Sequence, residues 1–375
     1  MKWSSAVSTA PLLADAVAEA TARVRRELGD VAPDFAVVFV SPHHEASYDA
    51  VPELVRAGLE CRTLLGCSAG GVIGGGHEVE DAPGLSLTAA MLPGVRLTPF
   101  HTSEPEPPRI AADDPAQFVI CPEPFSFDAE SFVHALDRAH PGSTVIGGVA
   151  SGARHPGENA LFLDGAVHRD GLVGVALAGD VVIDTIVAQG CRQIGEPMFV
   201  TRCERNLLQE IDGRSPAAVL ADLHRRATPR DRELFRSSLF LGIVMREQQE
   251  YHQGDFLIRN VLGLDGKTGA VAVGALLRPG MVVQFHLRDA RTSAEDLDAM
   301  LGRYRGTPAG SLLFSCLGRG THLYGRPDHD TDAVRRHLGE VPLGGFFCNG
   351  EIGPVQGTTF LHGYTSAFGL FRPRS

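Results

Sequence analysis

Several residues in this sequence are of types that do chemistry, and their spacing narrows which chemistry. Gly66-Cys67-Ser68-Ala69-Gly70 satisfies G-x-S-x-G, the nucleophile elbow of many hydrolases. An elbow leads from a strand straight into a helix, whereas Ser68 is followed by Ala69-Gly70-Gly71-Val72-Ile73-Gly74-Gly75-Gly76. Each interior glycine costs a helix roughly 1 kcal/mol against alanine. The pattern therefore predicts a tight loop between strands and argues against a serine hydrolase. No Gly-Lys-Ser/Thr follows and no G-x-G-x-x-G opens a helix, which removes the P-loop and dinucleotide readings.

Two further stretches stand out near the C-terminus: "FSCLGRG" (314–320) and "GFFCNGEIGP" (345–354). Each puts a cysteine at the end of an apolar strand beside a glycine turn. Such turns expose backbone N–H groups on which a small polar ligand converges. Arg319 offers a planar fork for a carboxylate or phosphate. Asn349 and Glu351 add donors and acceptors, Gly320 and Gly350 allow close approach, and His362 lies on the next element. We expect Cys316, Arg319, Gly320, Cys348, Asn349, Gly350, Glu351 and His362 to line a ligand pocket. The same residues allow plainer roles. The cysteines can be small buried hydrophobes, Arg319 can pair internally with Glu351, and Asn349-Gly350 can be a turn. A cysteine nucleophile, Cys316 or Cys348, would need a histidine base such as His322 or His362.

Metal and haem signals are weak. His43-His44-Glu45 and Asp328-His329-Asp330 contain ligand-type side chains without established spacing, and both read as solvated loops. Fifteen histidines leave haem open, but no C-x-x-C-H occurs. No metal is expected.

The elements that must position these residues alternate. "FAVVFVS" (35–41) is a buried strand, "YDAVPELVRAGL" a helix, "TLLGCS" a strand running into the glycine loop, and "LSLTAAML" (85–92) a third strand. The pattern then restarts with "FVICPEPF", "AESFVHALDRA", "STVIGG" and "LVGVALAG". "VFVSP" (38–42) aligns with "FVICP" (118–122), and "LLGCSAGG" with "VIGGVASG" (145–152), which places Gly66 on Gly147 and Gly71 on Gly152. Extra residues around "LFLDGAVH" in the second copy read as a hairpin through Asp164-Gly165. We read units of about 35–94 and 117–179 as an internal duplication. Beyond it, "SPAAVLADLHRR" is a helix capped by Ser215, "MVVQFHLRD" alternates as a strand, and Thr292 with Glu295 has capping-box spacing. The fold class is α/β, with mixed sheets in the middle and helices outside; an αββα sandwich is the specific expectation.

Bulk properties set the frame. The 375 residues suggest two domains, 43% are hydrophobic, and the net charge is −11 without any basic block. A nucleic-acid or anionic-membrane surface is disfavoured, and no apolar run reaches the length of a membrane span. Seven cysteines, an odd number without C-x-x-C, suggest reduced thiols and a cytoplasmic location.

Several stretches together resemble the FIST family. These are "VFVSPHH", "LLGCSAGGVIG", "GCRQIGEPMFVT" continuing into "LLQEIDGRSPAAVL", then "CLGRG" and "GFFCNGEIGP…FLHGYTSAFGLF". The resemblance implies a FIST N-terminal domain over 1–210 and a FIST C-terminal domain over 211–375, with no room for the F-box of eukaryotic members. It implies a sensory module that binds a small molecule, with amino acids or related metabolites as the suggested ligands, and that works with a separate signalling partner. Haem is associated with some members. No general catalytic motif carries over, so an enzyme is not the expected reading. A cysteine-dependent acyl transferase or hydrolase and a protein-interaction scaffold are the alternatives.

Overall fold

The computed structural model describes residues 1–110 and 115–374. Its helices and strands follow from local pattern. Strand Phe35–Val40 is six apolar residues, all buried, as expected of a strand covered on both faces. Helix Leu13–Leu28 buries Leu13, Ala16, Val17, Ala20, Val24 and Leu28 along one stripe and stops at Gly29 in the left-handed conformation.

The strands form three six-stranded sheets and one closed barrel. The first sheet runs, in spatial order, Lys2–Ser8, Leu85–Met91, Phe35–Val40, Thr63–Ser68, Leu161–Leu163, Ala166–His168. The second runs Val95–Thr102, Leu172–Gly179, Gln117–Pro122, Thr144–Gly148, Glu351–Val355, Thr358–His362. The third runs Val182–Ala188, Ser366–Arg372, Gly310–Cys316, Leu343–Cys348, Gly71–Gly74, His77–Glu80. The orders are equivalent. Each sheet has one parallel pair at its centre, an antiparallel strand beyond its first member and an antiparallel hairpin beyond its second. The unit is therefore present three times, and each copy gives its hairpin to a neighbour's sheet. Hairpin 71–80 of the first copy completes the third sheet, hairpin 161–168 of the second completes the first, and hairpin 351–362 of the third completes the second.

Register extends the equivalence to single residues. Gly66 pairs with Val38 and Phe162, Gly147 with Ile120 and Ile352, and Gly345 with Leu313 and Ile73. A Cβ on these glycines would lie 1.9, 2.0 and 1.9 Å from the carbonyl oxygens of Val38, Ile120 and Leu313. Gly66 and Gly147 are thus required by close backbone approach in mid-strand, not by the loop that follows. The same register shows that Val38 matches Ile120 rather than Phe118. The sequence alignment slips by two residues there because a continuous apolar run carries no marker of register. Hairpin 161–168 also proves not to be an extra of the second copy, since the first and third copies have their own.

The three sheets share one core. Phe39 and Cys67 from the first meet Cys121 and Ile146 from the second and Phe314, Phe346 and Cys348 from the third. Helices lie outside: 13–28 and 51–59 pack on the first sheet and 129–139 on the second. The fold is α/β with mixed sheets and external helices, and it has three sheets where an αββα sandwich has two.

The chain divides into two compact units. One comprises Met1–Val187 with Asp298–Ser375, the other Ala188–Leu297. The second unit is inserted in the third copy, after strand Val182–Ala188. It holds the barrel, in the order Cys191–Glu204, Leu207–Ile211, Val271–Val273, Phe256–Leu264, Leu239–Val244, Val282–Arg288. Helix Pro216–Arg226 starts at Ser215, whose Oγ accepts from Ala218 N. Helix Ala290–Arg303 begins before the Thr292–Glu295 pair, and Asp289 rather than Thr292 accepts the end N–H, from Thr292 N at 2.9 Å.

Candidate functional site

The structure brings the two cysteine stretches together. Strands Gly310–Cys316 and Leu343–Cys348 are parallel neighbours, with Cys316 directly beside Cys348. Cys316 is partly exposed and Cys348 is buried. The Cys348 thiol contacts Ser315 O at 3.4 Å and Glu351 Oε1 at 3.6 Å. Burial, then the Glu351 carboxylate, pushes that thiol well above its ordinary pKa. Such a shift opposes a standing thiolate at Cys348, and with it first attack by Cys348 on an incoming substrate. Glu351 is fully buried, and its Oε2 accepts from Thr365 N at 2.9 Å. His362 is buried with Nε2 on the carbonyl of Gly353 at 2.9 Å. Asn349 is exposed at the strand end; its Nδ2 donates to Ala150 O.

Arg319 does not pair with Glu351. It is fully buried, and Nε and Nη2 donate to Asp330 Oδ2 and Oδ1 at 3.0 and 3.1 Å. Asp330 also accepts from Ser315 Oγ at 3.2 Å and Ser366 Oγ at 2.6 Å. Its Oδ1 lies 3.0 Å from His329 Nδ1. Burial pushes the Asp330 carboxyl up, but the Arg319 guanidinium and these hydrogen bonds hold it well below the usual carboxylate range. Asp328-His329-Asp330 is therefore not a solvated loop: His329 and Asp330 open helix His329–Leu338 and are buried. Glu78, from the exchanged hairpin, accepts the N–H groups of Asp330 and Thr331 at 2.8 and 2.9 Å. Burial and the neighbouring Asp330 raise its pKa to about 8. Gly320 has φ +55, and a Cβ there would meet the Glu80 carboxylate at 2.3 Å. The sequence pattern puts Asp330 in a solvated loop and not beside Arg319, because its helix lacks an apolar stripe in its first turn.

Ser68 is committed to structure. It is buried, donates to Asn159 Oδ1 at 3.0 Å and accepts from Ala160 N at 3.1 Å. Asn159 passes the chain on to Glu123 Oε1 at 3.0 Å. His43-His44-Glu45 lies in a 3-10 segment, Pro42–Ala50, with His44 buried. Among the described residues no three His, Cys, Asp or Glu side chains are grouped to hold a metal.

A ligand-sized cleft lies in the barrel unit. Strand Cys191–Glu204 pairs regularly with Val282–Arg288 as far as Ile194 and resumes at Met198. The intervening bulge, with Gly195 at φ +70, breaks the ladder and is tied by Gln284 Nε2 to Gly195 O at 2.7 Å. Helices Pro216–Arg226 and Pro229–Ser237 close over the gap, leaving a cleft of about 420 Å³. Ile194, Met198, Val219, Leu223 and Phe235 give it an apolar lining, and Glu196, Arg214, Asp222, Arg226 and Asp231 a charged one. Asp222 is bonded by Arg214 and Arg225, and the Arg214 hydrogen bond lowers its pKa. Asp231 is bonded by Arg192. Arg226 makes no ion pair among the described residues. A smaller cleft, about 220 Å³, lies between Arg23, the Gly75-Gly76 turn and Arg335. The volume of the barrel cleft is within the range of small-molecule sites, roughly 300–1,000 Å³.

The FIST N domain profile matches residues 34–214 and the FIST C domain profile residues 216–354. The chain is 38% identical to uncharacterized protein Rv0628c of Mycobacterium tuberculosis, over 99% of this chain and 100% of that one. It is 35% identical to uncharacterized protein Mb0898c of Mycobacterium bovis, over 99% of each. An F-box/LRR-repeat protein of Arabidopsis thaliana is 26% identical over 36% of this chain and 30% of its own length. The protein belongs to the FIST family, whose domains are small-molecule sensory modules. The two family segments meet between residues 214 and 216, inside the barrel unit, whereas compactness divides the chain at 188 and 298. Among the described residues no helix is long and apolar enough to cross a membrane.

Proposed function

We propose that this protein senses a small zwitterion of the amino-acid class, held in the barrel cleft, and reports its occupancy to a separate signalling protein. One observation carries the reading: a cleft lined by apolar side chains together with cationic and anionic ones. A carboxylate would engage Arg226 or Arg214, an ammonium would engage Asp222, and an apolar side chain would lie on Met198 and Leu223. The stretches that build the cleft, "GCRQIGEPMFVT" and "DGRSPAAVL", are among those that carry the family resemblance. A non-catalytic role is supported by the raised thiol of Cys348 and by Ser68, both engaged in internal hydrogen bonds.

The test is calorimetric titration of the full chain with the free amino acids, followed by Arg226→Gln and Asp222→Asn. Removing a charge-assisted contact worth about 1.5–3 kcal/mol should weaken binding by roughly 10- to 100-fold. Absence of binding by any amino acid, or binding indifferent to both substitutions, overturns the reading.

A further inference from the structure

We propose that Cys316 and Cys348 form a redox pair, in which Cys316 is the thiol that meets a hydroperoxide and Cys348 resolves it to a reversible disulfide. The argument is independent of the barrel cleft and begins with strand register. The two cysteines are directly opposed at the C-terminal ends of neighbouring parallel strands. Sheet spacing separates such residues by about 4.8 Å, inside the roughly 4.4–6.8 Å between Cα atoms that a disulfide spans. At the strand ends Leu317 N donates to Cys348 O at 3.1 Å, which holds the two backbones at that spacing.

The environment sorts the roles. Cys316 is partly exposed, whereas Cys61, Cys67, Cys121, Cys191 and Cys348 are buried. The Arg319 guanidinium lies near it, two of its nitrogens held by Asp330, while Nη1 is buried without a hydrogen-bond partner. A partly exposed thiol beside a second cysteine, with a guanidinium close by, is the arrangement of a redox-sensing pair. Cys348 suits only the second role. It is sealed from solvent, and its proton faces Glu351 Oε1 and Ser315 O.

The chemistry balances without a cofactor. The Cys316 thiolate attacks one oxygen of the hydroperoxide, and the O–O bond breaks. Its electron pair leaves on an alkoxide or hydroxide that takes a proton from solvent, and Cys316 becomes a sulfenic acid. Glu351 Oε1, 3.6 Å away, takes the Cys348 proton as the Cys348 sulfur attacks the Cys316 sulfur; the S–O bond breaks, and the departing hydroxide receives that proton and leaves as water. Two thiols and one hydroperoxide give a disulfide, an alcohol (or water) and water. Thiol reductants reverse it. The disulfide would tie together the strand ends that carry Arg319 and Glu351.

The test treats the full chain with hydrogen peroxide, quenches by alkylation at intervals and maps the cysteine peptides by mass. Cys203, the other partly exposed cysteine, is the internal comparator. Cys316 should be lost on the order of tenfold faster than Cys203, a Cys316–Cys348 linked peptide should accumulate, and dithiothreitol should restore both thiols. In Cys348→Ser, a sulfenic acid trapped by dimedone should appear at Cys316. Loss of Cys203 first overturns the assignment. So does oxidation of Cys316 to sulfinic acid while Cys348 remains alkylatable in the unfolded digest. The wild-type map decides the matter even where the variant folds poorly.

Discussion

Replacing Arg319 by methionine should destabilise the protein in the absence of any ligand. Arg319 is fully buried and gives two parallel charge-assisted hydrogen bonds to Asp330, which is itself buried. Methionine fills similar space but leaves the Asp330 carboxylate with Ser315, Ser366 and His329 and no cation from Arg319. Breaking a buried pair from one side costs about 3–5 kcal/mol. At roughly 2–4 °C per kcal/mol for a domain of this size, the unfolding midpoint should fall by about 6–20 °C at pH 7. The loss should shrink at lower pH, because without Arg319 the buried carboxyl protonates readily. Replacing both partners, Arg319→Met with Asp330→Leu, should recover more than half the loss, since apolar substitutes for a whole buried pair are close to neutral. The assay is thermal unfolding by circular dichroism across pH 5–8. A single substitution within about 2 °C of wild type at pH 7 would show that the pair does not hold the third copy together.

Other outcomes follow from the same geometry. Glu78 has a folded pKa of about 8, above its ordinary value, so its neutral form is favoured; its own contribution to stability is complete at low pH and declines as pH rises toward 8. Glu78→Gln should therefore flatten the pH dependence of the unfolding midpoint and raise it at pH 9 relative to wild type; an unchanged slope refutes this. Ser68→Ala should cost about 1–3 kcal/mol, by leaving Asn159 Oδ1 and the Ala160 N–H unpaired, in chemical denaturation. Esterase activity that depends on Ser68 would contradict its structural role. Gly147→Ala forces neighbouring strands apart, because the new methyl would otherwise sit 2.0 Å from the Ile120 carbonyl oxygen. A cost of about 3 kcal/mol or more is expected, and soluble, wild-type-like melting would be the contrary result. A fragment ending at residue 214 lacks strands 310–316, 343–348 and 366–372, so hairpin 71–80 has no sheet to join. It should elute as an aggregate or be digested rapidly by protease.

Two copies of the repeat are legible in the sequence because each carries an apolar strand running into a glycine loop within a short span. The third is not, because the barrel interrupts it and because "LGGFFCNG" replaces the loop pattern with aromatic and polar residues. What aligns the three is Gly66, Gly147 and Gly345, and their equivalence is a matter of which carbonyl each faces. Hairpin exchange leaves no local signal either, since a hairpin looks alike whichever sheet receives it. The strand-end residues are legible as a group, yet their partners are not. Arg319 and Glu351 are near in the fold's strand order, but the guanidinium turns to Asp330. The barrel cleft escapes the chemical reading because its residues, from Ile194 to Phe235, form no familiar spacing. Only the family stretches pass through it.

Hairpin exchange also orders events on the ribosome. The first sheet is complete once residue 168 has emerged, but hairpin 71–80 must wait for strand Leu343–Cys348. At about 5–20 residues per second, that interval is on the order of 10–50 s. Throughout it the nascent chain carries a strand pair with unsatisfied backbone groups and no native neighbour, the kind of edge on which chains stick to one another. Expression of this protein should therefore respond to slowed or chaperone-assisted translation more than its final stability suggests. The outer strand of the hairpin, His77-Glu78-Val79-Glu80, carries two carboxylates that supply some protection while it waits.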